Sequence, residues 1–236
     1  TTMVNGADRG WKNALEQKKL SDQNKITAPR MFPIKDWGPS RSRDPGHLPK
    51  ASEIKKWHDT NTQNIAKLAN QIVKEGAHVI RIGSLAWNEE LFGKVAKAIY
   101  KAGGITTVHL PPSDISVVNA VKAAELGVTM LEHHYGYPES AMGGKVHPFP
   151  SDYNYMDEAD RFRHAGSIWQ IASEDILYGE VVDRLIKSGV AMLPTMSTYE
   201  ANRDINRAMS SPWHEHFTHA KLIDWYFPNP EYHGSY

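Results

Sequence analysis

Cysteine is absent from all 236 residues, which removes disulfides and thiolate metal sites. Any metal must then sit on His, Asp, Glu or carbonyl oxygen. An excess of one charge is missing too. Lys+Arg 27 against Asp+Glu 27 leaves a formal charge of +0, so there is no clustered basic footprint of the kind nucleic-acid phosphates require. No apolar run approaches the roughly 20 residues that span a bilayer, so no membrane span is expected. No Gly-rich phosphate loop follows any apolar segment, and Gly6-Ala7-Asp8-Arg9-Gly10 is too loose to count as one. What is there is a 40% hydrophobic content in a chain long enough to bury a core as one domain.

The two ends read as cut. Thr1-Thr2-Met3-Val4 is a β-prone run with no cap, linker or initiator methionine before it, like the middle of a strand. Phe227-Pro228-Asn229-Pro230 opens a terminal loop with no element after it. On that reading a targeting signal would have been lost with the start, and nothing here assigns a compartment.

Between the ends one unit repeats: an amphipathic helix, a glycine, a short apolar strand. Ile65, Leu68, Ala69, Ile72 and Val73 follow the spacing of a helix with one buried face, Gly76 ends it, and His78-Val79-Ile80-Arg81-Ile82 follows. Asn88 is placed to cap the next helix, with Glu89 and Glu90 at the positive end of its dipole. Its inner face is Leu91, Val95, Ala98, Ile99 and Ala102, and Gly103-Gly104 stops it before Ile105-Thr106-Thr107-Val108-His109. A third copy starts at a Ser113 cap with Val117, Ala120, Val121 and Ala124 facing inward, then Gly127 and Val128-Thr129-Met130-Leu131-Glu132-His133. A fourth has Val181, Val182 and Leu185, then Gly189 and Val190-Ala191-Met192-Leu193-Pro194-Thr195. Upstream, a helix over residues 11–20 leads to Arg30-Met31-Phe32-Pro33-Ile34, where Pro33 suggests a strand end.

Helices alternating with single apolar strands predict an α/β fold with a parallel sheet, because parallel neighbours need a helical crossover. The spacing of Gly76, Gly103 and Gly127 suits a barrel or a doubly wound sheet; the missing phosphate loop favours an incomplete (β/α)8 TIM-type barrel over residues 1–236. Counting the run at residues 1–5, six strands are expected, two short of closure. A long insertion at 135–173 leaves on the presumed active-site side, and its Tyr137, Phe149, Tyr153 and Trp169 would line a pocket, form a lid or pack against another domain or subunit. A shorter one at 37–49, with Arg41, Arg43 and His47, reads as an exposed loop.

Barrel active sites lie at the C-terminal ends of the strands. Three strands end on a polar residue in near-equivalent register: Arg81 five residues after Gly76, His109 five after Gly104, and His133 six after Gly127. Adjacent parallel strands are about 4.8 Å apart, so two such histidines can converge on one ion. The alternative for each is a hydrogen-bonded structural histidine. For Arg81 the alternatives are a contact to a substrate carboxylate or an ion pair with a neighbouring acid. His134 and Tyr135 follow His133 onto the rim and are candidate substrate contacts, with ordinary loop residues the plain alternative. His214-Glu215-His216 follows a Ser211-Pro212 helix start. On a helix His214 and His216 point apart while His216 and His219 share a face, which predicts solvated histidines.

Gly104-Ile105-Thr106-Thr107-Val108-His109, the run at 120–127 and Met130-Leu131-Glu132-His133 resemble the fifth and sixth barrel strands of the amidohydrolase superfamily, nearest its imidazolonepropionase- and prolidase-like enzymes. Residues 1–4 resemble the second strand, 26–31 the approach to the third, and the stretch from Asp175 to Thr195 the seventh unit. The resemblance implies a metal-dependent hydrolase of C–N bonds in amides or cyclic amides, in which metal-activated water attacks a small-molecule substrate's carbonyl. It places His109 and His133 as ligands of a divalent metal, zinc foremost. The first-strand His-x-His pair and the eighth-strand aspartate, the expected general base, lie outside this sequence. This chain would then need a second copy or further segments of the same protein to be active. The carboxylated lysine of the fourth strand falls on Arg81, which cannot form a carbamate. That departure implies a mononuclear site, a metal held differently, or a barrel that has lost catalysis and binds a ligand or partner. A metal-free barrel lyase or isomerase is the other enzyme class in view.

Overall fold

The computed structural model describes residues 2–5, 11–38, 52, 55–57, 61–82, 88–110, 117–142, 149–154, 158–196, 207 and 210–221. Strand β1 (Thr2–Asn5) is followed by α1 (Trp11–Asp22), β2 (Arg30–Trp37), α2 (Ile65–Lys74), β3 (Val79–Ile82), α3 (Glu89–Lys101) and β4 (Ile105–Val108). Then come α4 (Ala120–Glu125), β5 (Met130–Glu132), α5 (Tyr137–Ala141), α6 (Glu158–Ser173), α7 (Leu177–Ser188), β6 (Ala191–Leu193) and α8 (His214–Phe217).

All six strands lie in one sheet in the order β1-β2-β3-β4-β5-β6, and every pair is parallel. Sequential order with no reversal means that the sheet has no topological switch point among the described strands. A doubly wound fold would place one and bind its ligand there. The α/β parallel architecture read from the helix–glycine–strand repeat is therefore present, with six strands as counted.

The capping residues act as their chemistry dictates. Asn88 accepts the amide of Leu91 at 2.8 Å at the start of α3, with Glu89 and Glu90 in the first turn. The burial centre of α3 is Phe92, Val95, Ala96 and Ile99, while Leu91, Ala98 and Ala102 sit at its margin, so the buried face is rotated by about one residue from the expected one. α4 begins at an Asn119 cap, which accepts the Lys122 amide at 3.0 Å, and Val117 is exposed, not inward-facing. Ser113 lies outside the described residues. In α7, Val181 is buried but Val182 is exposed.

Pro33 does not end β2. It stands where the strand changes partner: residues up to Pro33 pair with β1, and Ile34 onwards pair with β3. A proline has no amide to give a ladder, so a hand-over point between two partners tolerates it.

The core packs helices against one sheet face. Ile80, Ile82, Val108 and Leu131 are buried with Ile72, Phe92, Val95 and Ile99. Ile82 and Val108 are register partners, as are Val108 and Leu131, so these side chains share the helix-covered face. By alternation Asp36, Arg81, Thr107, Met130 and Glu132 share the opposite face.

The chain gathers into two compact units, residues 1–146 with 169–193, and residues 147–168 with 194–236. The stretch expected as one insertion at 135–173 is thus divided between them. Its first part folds as α5, with Tyr137 buried, and Trp169 packs at the margin of the first unit's core. In the second unit Phe149 stacks on Tyr153 with centroids 3.7 Å apart, and His164 stands edge-on to both. The expected loop at 37–49 lies, beyond Gly38, outside the described residues, as do residues 6–10 and the terminal loop. No helix among the described residues is long and apolar enough to cross a membrane.

Candidate metal centre

The sheet face away from the core helices is polar along one row. Asp36 on β2 is in register with Arg81 on β3, which is in register with Thr107 on β4. Arg81 donates through Nε to Asp36 Oδ1 at 2.8 Å and through Nη2 to Oδ2 at 3.4 Å, a two-point grip between largely buried side chains. This is the ion pair weighed for Arg81 from the sequence. Asp36 was missed there because the strand was expected to stop at Ile34.

One step further along, Thr107 is fully buried and donates its hydroxyl to Glu132 Oε1 at 3.0 Å. His109 follows the last residue of β4 and His133 the last residue of β5. Their rings meet edge to face with centroids 5.0 Å apart. Ligand atoms of His109, Glu132 and His133 all lie within 4.8 Å of one another, and among the described residues no other group of three or more His, Cys, Asp or Glu does so.

Neighbouring strand residues normally point to opposite faces, so Glu132 and His133 should not meet. They do because His133 has a left-handed backbone with φ 58°, and its amide is tied to Leu193 O on β6 at 2.8 Å. That conformation is costly for a side-chain-bearing residue, and such backbones concentrate at functional sites. It brings His133 Nε2 to 3.7 Å from Glu132 Oε2. The separation is long for a hydrogen bond but close to the roughly 3.3 Å between two ligands of a tetrahedral zinc-sized ion.

Two imidazoles and a carboxylate are a donor set that fits a divalent metal of the zinc type, with three protein ligands and room for a fourth partner. The set joins the two histidines read as ligands and adds Glu132, which sequence reasoning passed over. No local signal marked it: strand alternation parts Glu132 from His133, and only the register with Thr107 and the backbone at His133 show that they meet. No known protein-family model and no curated protein sequence matches the chain.

Tyr135 is buried in the core, not on the rim, and its ring is edge-on to that of His109 at 6.0 Å. His134 packs against Tyr135 with centroids 4.3 Å apart. Burial, with a smaller contribution from the neighbouring His133, pushes its imidazole down to about 4, so it is neutral at neutral pH. His214, His216 and Glu215 do not converge on a common point. α8 stops at Phe217, so His219 lies beyond the helix instead of sharing a face with His216, and His214 Nδ1 pairs with Thr218 Oγ1 at 2.9 Å.

Proposed function

We propose that this protein is a metal-dependent hydrolase of C–N bonds in amides or cyclic amides, built on a TIM-type barrel of the amidohydrolase kind. The observation that carries the reading is the meeting of His109 and His133 at the C-terminal ends of adjacent parallel strands, with a carboxylate beside them. When bound there, a zinc-like ion would polarise the scissile carbonyl and make water nucleophilic near neutral pH. The chain's own groups supply the rest of the setting. Tyr135 and the core behind it exclude water from one side of the His109 ring. Arg81, held at two points by Asp36, lines the same sheet face, and His134 packs a neutral ring against Tyr135 beside the two histidines.

The test is hydrolysis of a panel of N-acyl amino acids, dipeptides and cyclic imides. With the site completed by a second copy or by further segments of the same protein, activity lost on chelation, restored by zinc and abolished by joint substitution His109→Ala and His133→Ala is expected. Activity indifferent to chelation would point instead to a metal-free lyase or isomerase. A second reading, a barrel that binds a ligand without turning it over, draws on one observation: where the resemblance puts a carboxylated lysine stands Arg81, locked to Asp36. In that case the same double variant keeps ligand binding and no substrate is hydrolysed.

A further inference from the structure

The two histidines alone would make a weak site, since two imidazoles rarely retain a catalytic divalent ion. We infer that Glu132 is the third ligand and that Thr107 is the positioning residue that fixes it, so that strands β4 and β5 hold a complete three-donor centre between them. The inference rests on the metal reading above and goes beyond it by assigning a ligand and a supporting residue.

The geometry divides the work of the Glu132 carboxylate between its two oxygens. Oε1 accepts the Thr107 hydroxyl at 3.0 Å, and Oε2 is turned to the His133 imidazole at 3.7 Å. A glutamate side chain has three rotatable bonds, and ordering it costs entropy; a buried donor from the neighbouring strand removes that freedom before any ion arrives. Thr107 can serve because its own position is fixed on both sides, in register with Arg81 on β3 and Met130 on β5, and because it is fully buried. Its neighbour Thr106 faces the helices and is spent on a different contact, a hydroxyl pair with Thr129 at 3.3 Å. The two adjacent threonines of β4 thus have separate tasks. A hydrogen bond to a ligating carboxylate is the kind of outer contact whose loss lowers metal affinity about 10- to 100-fold.

Titration of the metal-free protein with Co(II), followed by its visible absorption and by the rise in thermal midpoint, reads this without any substrate. Thr107→Val should weaken binding by about 10- to 100-fold, and Thr107→Ser, which keeps the hydroxyl, should bind within a few-fold of the parent. Glu132→Gln should weaken binding at least as much and change the Co(II) spectrum. Combining Thr107→Val with Glu132→Gln should add nothing further, because the threonine acts through the carboxylate. Unchanged affinity in Thr107→Val overturns the positioning role, and unchanged affinity and spectrum in Glu132→Gln overturn the ligand assignment. An effect of Thr107→Val that persists undiminished beside Glu132→Gln shows a merely structural role and overturns the inference as well. If Thr107→Val does not fold, Thr107→Ala, which also removes the hydroxyl, takes its place with the same expected loss and the same overturning result. Failure of the parent protein itself to bind Co(II) would remove the metal reading together with this inference, an outcome distinct from all the others.

Discussion

At the scale of single residues, several side chains are held where they would not go unaided. His133 adopts a left-handed backbone so that it meets Glu132, and Arg81 is gripped at two points by Asp36. Glu139 shows the same cost in a titratable group. Its Oε2 accepts the amide of Gly136 at 2.8 Å, yet burial outweighs that contact and holds its carboxyl above the usual carboxylate range. A carboxyl whose folded value is raised favours the folded state while it is protonated, and that contribution is lost as pH rises through the folded value. Stability should therefore fall between mildly acid and neutral pH by an amount that Glu139→Gln reduces. Denaturant unfolding at the two pH values checks this; an unchanged difference would show that Glu139 is not a source of it.

At the scale of elements, the parts that were legible in the sequence are those fixed by local periodicity. The helix from Glu89 with its Asn88 cap, the strand residues around Ile80 and Val108, and the strand-end placement of His109 and His133 all follow from spacing and caps. What could not be read depended on contacts across strands. The continuation of β2 through Pro33 to Asp36 is set by a change of pairing partner, and nothing local in Phe32-Pro33-Ile34 announces it. Glu132 was hidden for a related reason. Strand alternation separates it from His133, and only the backbone at the end of β5, pinned to Leu193, brings the two together. The turn into α5 is equally demanding. Gly136 has φ 86°, and a Cβ there would come 2.7 Å from Leu110 Cδ1 and 2.9 Å from the Ala120 amide nitrogen. The backbone conformation alone makes Gly136→Ala costly by about 1–3 kcal/mol, and the contact with fixed backbone adds to it. Equilibrium unfolding should show a loss of at least that order; a loss under about 0.5 kcal/mol would mean the turn adapts freely.

At the scale of the whole molecule, six parallel strands in unbroken sequence order place every strand end of the sheet on the same side, and that is the condition under which residues from separate βα units can meet. The sheet divides its labour by face: an apolar face under the helices, and a polar face carrying Asp36, Arg81, Thr107 and Glu132 towards His109 and His133. The end of this polar face is where the proposed metal site lies. Its most direct test is the zinc content of the purified protein after metal-free dialysis and reloading, measured beside the His109→Ala, His133→Ala double variant. About one tightly held equivalent is expected in the parent and none in the double variant. Zinc absent from both, or retained equally by both, would contradict it.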